Sequence, residues 1–141
     1  MRTSWLVSIA VAGAFASGCS TMDSAPKTPT YAATLAPGAG ITSTGKGAGS
    51  FTYDPATHVL TYNVTYEGLS GPAVAAHIHG PAAPGANGPP VVPFANAASP
   101  ITGTATLTDA QAADLAAGKW YVNVHTAANK GGEIRGQITA K

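Results

Sequence analysis

Charged residues are scarce in this chain of 141 residues. Only 9% of them are charged, with seven Lys or Arg against six Asp or Glu, and no run of like charge occurs. A nucleic-acid-binding protein needs a basic patch or stripe, so the composition argues against nucleic acid as a partner and against electrostatic attachment to a membrane. Several of the six carboxylates are also predicted to lie in turns or in a helix, so too few remain to form the acid and base pair of a glycosidase.

Cysteine is almost absent: Cys19 is the only one, so a disulfide within the chain is excluded. It follows a leader in which Arg2 gives a positive start and the residues from Trp5 to Ala16 are apolar or small. This apolar run is shorter than the roughly 20 residues that span a bilayer as a helix. We therefore predict a signal peptide over residues 1–18.

The residues around Cys19 resemble a bacterial lipobox, with Ala16 where leucine is most common. That resemblance implies cleavage before Cys19, a lipid on its sulfur and an acylated amino group. The mature protein would then be anchored by lipid in the bacterial cell envelope, outside the cytoplasm. An aspartate directly after the lipidated cysteine would keep the protein from the outer membrane. Ser20 stands at this position instead, which favours the outer membrane of a Gram-negative cell. Ordinary secretion with an unused thiol is the alternative.

Residues 19–30 are predicted to be a flexible tether after the lipid. They include two prolines and almost no apolar side chains. Such a segment cannot bury enough surface to offset the entropy lost on ordering. The remaining residues, 31–141, have the length of one ordinary domain.

Alternation of apolar and polar residues dominates this domain and predicts strands. Ser50 to Tyr53 and Leu60 to Tyr66 are expected to form a hairpin across an Asp-Pro turn. Further strands are predicted for the segment with His77 and His79 and for residues 102–107, 120–126 and 133–139, while residues 35–41 and 80–93 are interpreted as loops. About seven short strands predict a mainly β, antiparallel Greek-key sandwich or barrel-like domain.

One short helix is predicted to interrupt the strands. Thr108 and Gln111 have the spacing of a capping box, and Asp109 lies near the positive end of the helix. Gly118 is suited to end it in the left-handed conformation.

Three of the four histidines lie on polar faces of predicted strands whose opposite faces look like core. Side chains alternate along a strand, so His77 and His79 point the same way. The residues expected to face the core from that strand are Val74, Ala76 and Ile78. In a second strand, His125 shares its face with Tyr121 and Asn123.

These histidines are candidate metal ligands. Histidines at positions i and i+2 are roughly 6.6 Å apart along a strand, which two imidazoles can close around one ion. His125 would have to come from a neighbouring strand. Ligation by three imidazole nitrogens would then suit copper or zinc, whereas the lack of a nearby sulfur ligand disfavours a Cu(I) carrier. The alternative is structural: the histidines would hydrogen-bond neighbouring side chains or carbonyls and hold the loop at residues 80–93. The predicted supporting residues are Asn123, Glu133 and Arg135.

Several motifs in order resemble the chordin-type (CHRD) domain. They are Ala75-Ala-His-Ile-His-Gly-Pro-Ala82, the segment from Leu107 to Gly118, Trp120 to Asn129, and Gly132 to Gln137. The resemblance covers about residues 31 to 139. It implies an extracellular β-sheet domain without established catalysis, which would act as a binding or structural module, with another extracytoplasmic protein as a candidate partner.

The pair His77 and His79 is also similar to copper ligands of the copper-zinc superoxide dismutases. That pattern further requires a bridging histidine and a zinc site of histidines with an aspartate. Only His58 remains for it, beside a hairpin turn. Dismutase activity is therefore not expected, and the alternative to a non-enzymatic module is a copper- or zinc-binding protein with redox activity.

Overall fold

The computed structural model describes residues 27–141, which form nine strands and one helix. The predicted signal peptide, Cys19 and most of the predicted tether lie outside these residues. The strands are β1 (Thr30–Pro37), β2 (Lys46–Asp54), β3 (Val59–Glu67), β4 (Ala73–His79), β5 (Pro90–Pro93), β6 (Ile101–Thr106), β7 (Tyr121–Thr126), β8 (Ile134–Gln137) and β9 (Thr139–Ala140). The helix is α1 (Asp109–Ala116).

The strands pair antiparallel in the order β5-β4-β7-β8-β1-β2-β3-β6, and β9 pairs with β1. The neighbours β4–β7, β8–β1 and β3–β6 are not consecutive in sequence, so the chain crosses over between them. The sheet also curls until its two ends approach each other: the ring of Phe94, just after β5, lies 4.7 Å from that of Tyr62 in β3. The prediction of a mainly β, antiparallel, barrel-like domain is confirmed.

The core fills the space inside this curled sheet, where alternate residues of the strands are buried. The largest fully buried apolar side chains of this core include Trp120, Phe51, Leu35, Leu60, Ile78, Leu115, Ile134 and Ile138. Burial of each such side chain contributes about 1.5–3 kcal/mol. The prediction for Val74 was wrong: it is 61% exposed, because the pairing of β4 with β7 is irregular between Ala73 and Ala75.

Two strands were not predicted from the sequence: β1 overlaps the predicted loop at residues 35–41 only in its last three residues, whereas β5 lies wholly within the predicted loop at residues 80–93. β1 includes residues up to Pro37, and its inward side chains are Tyr31, Ala33 and Leu35. The small alanine makes this alternation hard to recognise in the sequence. β5 is bounded by two prolines, which an edge strand tolerates because one side of its backbone has no partner strand.

The predicted caps of α1 are confirmed. The Thr108 side chain accepts a hydrogen bond from the Gln111 backbone, and the Gln111 side chain accepts one from the Thr108 backbone. At the other end Gly118 has φ +70°, and its N–H donates to the carbonyl of Leu115 over 3.0 Å. Among residues 27–141, no helix is both long enough and apolar enough to cross a bilayer.

Candidate metal centre

The antiparallel pairing of β4 with β7 brings three histidines to one outer face of the sheet. In this register His77 lies opposite Asn123, and His79 lies opposite Tyr121. His125 is two residues beyond Asn123 along β7 and is therefore diagonal to His77. The residues between these positions point inward and are buried, so the core fixes the direction of all three imidazoles.

The three imidazole rings converge. Nδ1 of His77 lies 3.2 Å from Nε2 of His125. The ring centroids are 5.2 to 5.8 Å apart among the three pairs. One ring nitrogen from each of His77, His79 and His125 lies within 4.8 Å of the other two. His58 lies elsewhere, beside Tyr53 and Asp109.

Backbone carbonyls determine which nitrogen of two rings carries the proton. Nδ1 of His79 is 2.9 Å from the carbonyl oxygen of Gly88, and Nδ1 of His125 is 2.9 Å from that of Lys130. A carbonyl oxygen can only accept, so each Nδ1 donates, and in the neutral ring Nε2 is then the nitrogen that carries the lone pair. Nε2 of His79 is buried and has no hydrogen-bond partner among the described residues. Leaving such a nitrogen unpaired costs about 1–3 kcal/mol.

The environment keeps two of these imidazoles neutral. Burial lowers the pKa of His77, and the neighbouring His125 and His79 lower it further. Burial also lowers the pKa of His79, where the bond to the Gly88 carbonyl opposes the effect and the charges of His125 and Arg135 add to it. Neutral imidazole is the form that binds a metal ion, so both rings are ready to bind at neutral pH.

The loop at residues 80–89 lies against the cluster and is held by Tyr121. The ring of Tyr121 stacks on that of His79, with centroids 5.1 Å apart and planes 19° apart. Its hydroxyl accepts a hydrogen bond from the Gly88 N–H over 3.1 Å. The same loop residue therefore contacts Tyr121 through its N–H and His79 through its carbonyl, which fixes the orientation of the His79 ring.

Arg135 supports this loop and does not hydrogen-bond a histidine. Its guanidinium carbon lies 3.8 Å from the centroid of the Tyr121 ring, on which it forms a cation–π contact. It also donates to the side chain of Asn87 and to the carbonyl of Ala86 over 2.9 and 2.7 Å. Its positive charge is thus placed next to the aromatic ring that stacks on His79.

Asn123 supports the other loop, between β7 and β8. Its side-chain amide donates to the carbonyl of Gly131 over 3.0 Å. Gly132 has φ +117°, and a Cβ at this position would collide with the Asn123 side chain, so only glycine fits. This loop carries the Lys130 carbonyl that accepts from His125.

Glu133 does not face the histidines, in contrast to the prediction. Its carboxylate is fully buried and accepts hydrogen bonds from Ser43, from both the N–H and the hydroxyl of Ser70, and from Thr126, over 2.6 to 2.8 Å. Burial alone would raise the pKa of Glu133, but these hydrogen bonds outweigh it and lower the pKa to about 2. Glu133 is a structural group, because it joins the β1–β2 loop, the β3–β4 loop and the end of β7.

The most important contacts of the cluster that the sequence does not indicate are the carbonyls of Gly88 and Lys130. Every residue has a carbonyl, so no residue type marks the ones that accept from an imidazole. The stacking of Tyr121 on His79 follows from their opposition in the register, which the sequence does not specify.

The family model for the CHRD domain matches residues 30–138, most of the chain. No curated protein matches the chain, and no solved structure does.

Proposed function

The chain belongs to the CHRD-domain family, and we propose that it is a non-enzymatic binding module that holds one copper(II) or zinc ion at His77, His79 and His125. Family membership by itself suggests a binding or structural module. The metal ion is the more specific part of the proposal, and it rests on the histidine cluster.

The observation that carries the proposal is the buried Nε2 of His79 without a partner. A purely structural cluster would be satisfied by hydrogen bonds, and the contact between His77 and His125 can be such a bond. Even with this hydrogen bond between His77 and His125, Nε2 of His79 is left unpaired. A cation shared by the three rings would instead give every free lone pair a partner.

The donors and their surroundings suit this chemistry. Three imidazole nitrogens without sulfur or carboxylate favour copper(II) or zinc among the common metals. Ligating histidines typically donate their other N–H to a carbonyl or carboxylate, which orients the ring. His79 and His125 have this arrangement with Gly88 and Lys130.

Replacement of any of the three histidines with alanine is expected to weaken metal binding sharply. The loss should exceed the roughly 10- to 100-fold that removal of an outer hydrogen-bond partner costs, because a direct ligand disappears. Titration calorimetry of the untagged protein with Zn(II) or Cu(II) would measure it. His58→Ala is the matched control and should bind like the parent. Absence of saturable binding at micromolar metal, or an equal loss in the control, would contradict the proposal.

We also propose that Cys19 carries a lipid that anchors the module in the cell envelope. The support is the lipobox-like sequence before Cys19 and the tether-like composition of residues 19–30. The anchor would leave the domain facing the extracytoplasmic space, where a partner protein or a metal ion from the medium could reach it.

Labelled palmitate supplied to cells that express the full chain is expected to enter the protein. Cys19→Ala should abolish this label, because the acceptor sulfur is gone and processing at the lipobox needs it. Ser20→Ala is the control and should retain the label. Unlabelled parent protein recovered from the soluble fraction without detergent would contradict the anchor.

A further inference from the structure

The peptide group of Gly88 connects Tyr121 to the histidine cluster. Its carbonyl oxygen lies 2.9 Å from Nδ1 of His79, and its N–H donates to the Tyr121 hydroxyl over 3.1 Å. The hydroxyl oxygen is also 3.4 Å from the same carbonyl oxygen, which gives the hydroxyl proton an acceptor. Tyr121 therefore contacts both polar groups of Gly88, and one of these groups holds the His79 ring.

The direction of the Gly88 carbonyl depends on these hydrogen bonds. Within residues 27–141, the Tyr121 hydroxyl is the one acceptor for the Gly88 N–H. A Cβ on Gly88 would lie 3.0 Å from Cα of Gly80 and 3.1 Å from the carbonyl oxygen of Pro81, which favours glycine at this position. Glycine has the greatest backbone freedom and no side chain to pack. Its peptide group must therefore be oriented by its hydrogen-bond partners.

The hydroxyl of Tyr121 can be separated from the other contacts of this residue. The ring of Tyr121 is buried, stacks on His79 and lies under the guanidinium of Arg135. Phenylalanine presents the same ring and would keep the stacking and the burial. Only the contacts with Gly88 depend on the oxygen atom.

The Gly88 carbonyl matters to a metal ion because it decides which nitrogen of His79 is available. While the carbonyl accepts from Nδ1, the lone pair of the neutral ring lies on Nε2. This Nε2 is the buried nitrogen that has no hydrogen-bond partner among the described residues. A ring with its proton on Nε2 could not bind an ion there. Loss of a group that orients a ligating histidine typically lowers metal affinity by about 10- to 100-fold.

We propose that Tyr121 is a positioning residue of the metal site. Its hydroxyl holds the Gly88 peptide group, whose carbonyl keeps the proton of His79 on Nδ1 and leaves Nε2 for the ion. This inference deepens the proposed function and rests on it. It assigns part of the affinity for the metal ion to a tyrosine that acts on the ligand through one backbone peptide.

Titration of Tyr121→Phe with zinc tests this role by calorimetry. We expect the untagged variant to keep its fold by circular dichroism and to bind zinc about tenfold more weakly than the parent, or weaker still. Tyr66→Phe is the matched control. It removes a hydroxyl that donates to the carbonyl of Ala97 over 2.6 Å, between β3 and the β5–β6 loop, and should bind zinc like the parent.

The calorimetry separates failure of this inference from failure of the metal proposal. A parent that binds zinc together with a Tyr121→Phe protein of equal affinity would overturn the role of Tyr121 and leave the metal proposal intact. An equal loss of affinity in the Tyr121 and Tyr66 variants would do the same. A parent that binds no zinc would overturn the metal proposal and this inference with it.

Proton–nitrogen NMR spectra of isotope-labelled, metal-free protein provide a readout that a merely structural role would not change. They show which ring nitrogen of a histidine carries the proton. We expect the His79 proton on Nδ1 in the parent and in Tyr66→Phe, and a mixture of both tautomers in Tyr121→Phe. A parent with the His79 proton on Nε2 would overturn the inference, whether or not Tyr121→Phe folds. The same single tautomer in the parent and in Tyr121→Phe would overturn it as well.

Discussion

Glu133→Ala is expected to lower the free energy of unfolding by about 3–5 kcal/mol. The substitution leaves the hydroxyl of Ser43, both donors of Ser70 and the hydroxyl of Thr126 without their acceptor in a buried place. The β1–β2 loop, the β3–β4 loop and the end of β7 lose their common anchor at once. Urea denaturation of the two proteins would measure the difference.

Glu67→Ala is the matched control for this substitution. Glu67 pairs with Lys46 over 3.0 Å, but both side chains are more than 70% exposed, at 71% and 72%. Such a pair contributes at most about 1 kcal/mol. A similar loss of stability in the Glu67 and Glu133 variants would show that the buried network has no special weight.

The carboxylate of Glu133 also makes the stability of the fold depend on pH in the acid range. Its pKa falls from an ordinary 4.5 to about 2 in the folded protein. The folded state therefore favours the ionised form, and this contribution is complete above about pH 4.5 and is lost as the pH falls from there towards 2. The unfolding free energy of Glu133→Gln, which cannot ionise at this position, should decline less steeply over this range.

Ile134→Asp is expected to prevent folding of the domain. Ile134 is fully buried in β8, between β7 and β1. An aspartate there would lose the apolar contacts and bury a carboxyl group that no donor is placed to satisfy, which costs several kcal/mol. Circular dichroism should show the loss of β structure.

Gln137→Ala, in the same strand but on the opposite face, is the control for Ile134→Asp. Gln137 donates to the carbonyls of Ala82 and Gly118, so its loss should cost only about 1–2 kcal/mol and leave the protein folded. An Ile134→Asp protein that melts at the temperature of the parent would contradict the assignment of Ile134 to the core.

Much of the local structure could be predicted from the sequence. The alternation from Leu60 to Tyr66 requires only that one face of a strand meets the core, and the capping box of Thr108 involves residues three apart. The CHRD motifs can also be recognised in the sequence, because each of them lies within a single continuous segment. β1 was missed because the small side chain of Ala33 weakens its pattern, and β5 because its prolines are acceptable only at the edge of a sheet.

Prediction of the candidate site depends both on local strand geometry and on the tertiary structure. The spacing of His77 and His79 is enough to place them on one face, because side chains alternate along a strand. The sequence by itself does not specify that β4 and β7 become neighbours, since 41 residues separate them and they pair only in the folded domain. The folded domain is therefore needed to see that His125 joins the other two histidines and that Glu133 belongs to a separate hydrogen-bond network. The physical reason is that alternation is a property of the local backbone, whereas register and loop contacts depend on which distant strands pack together.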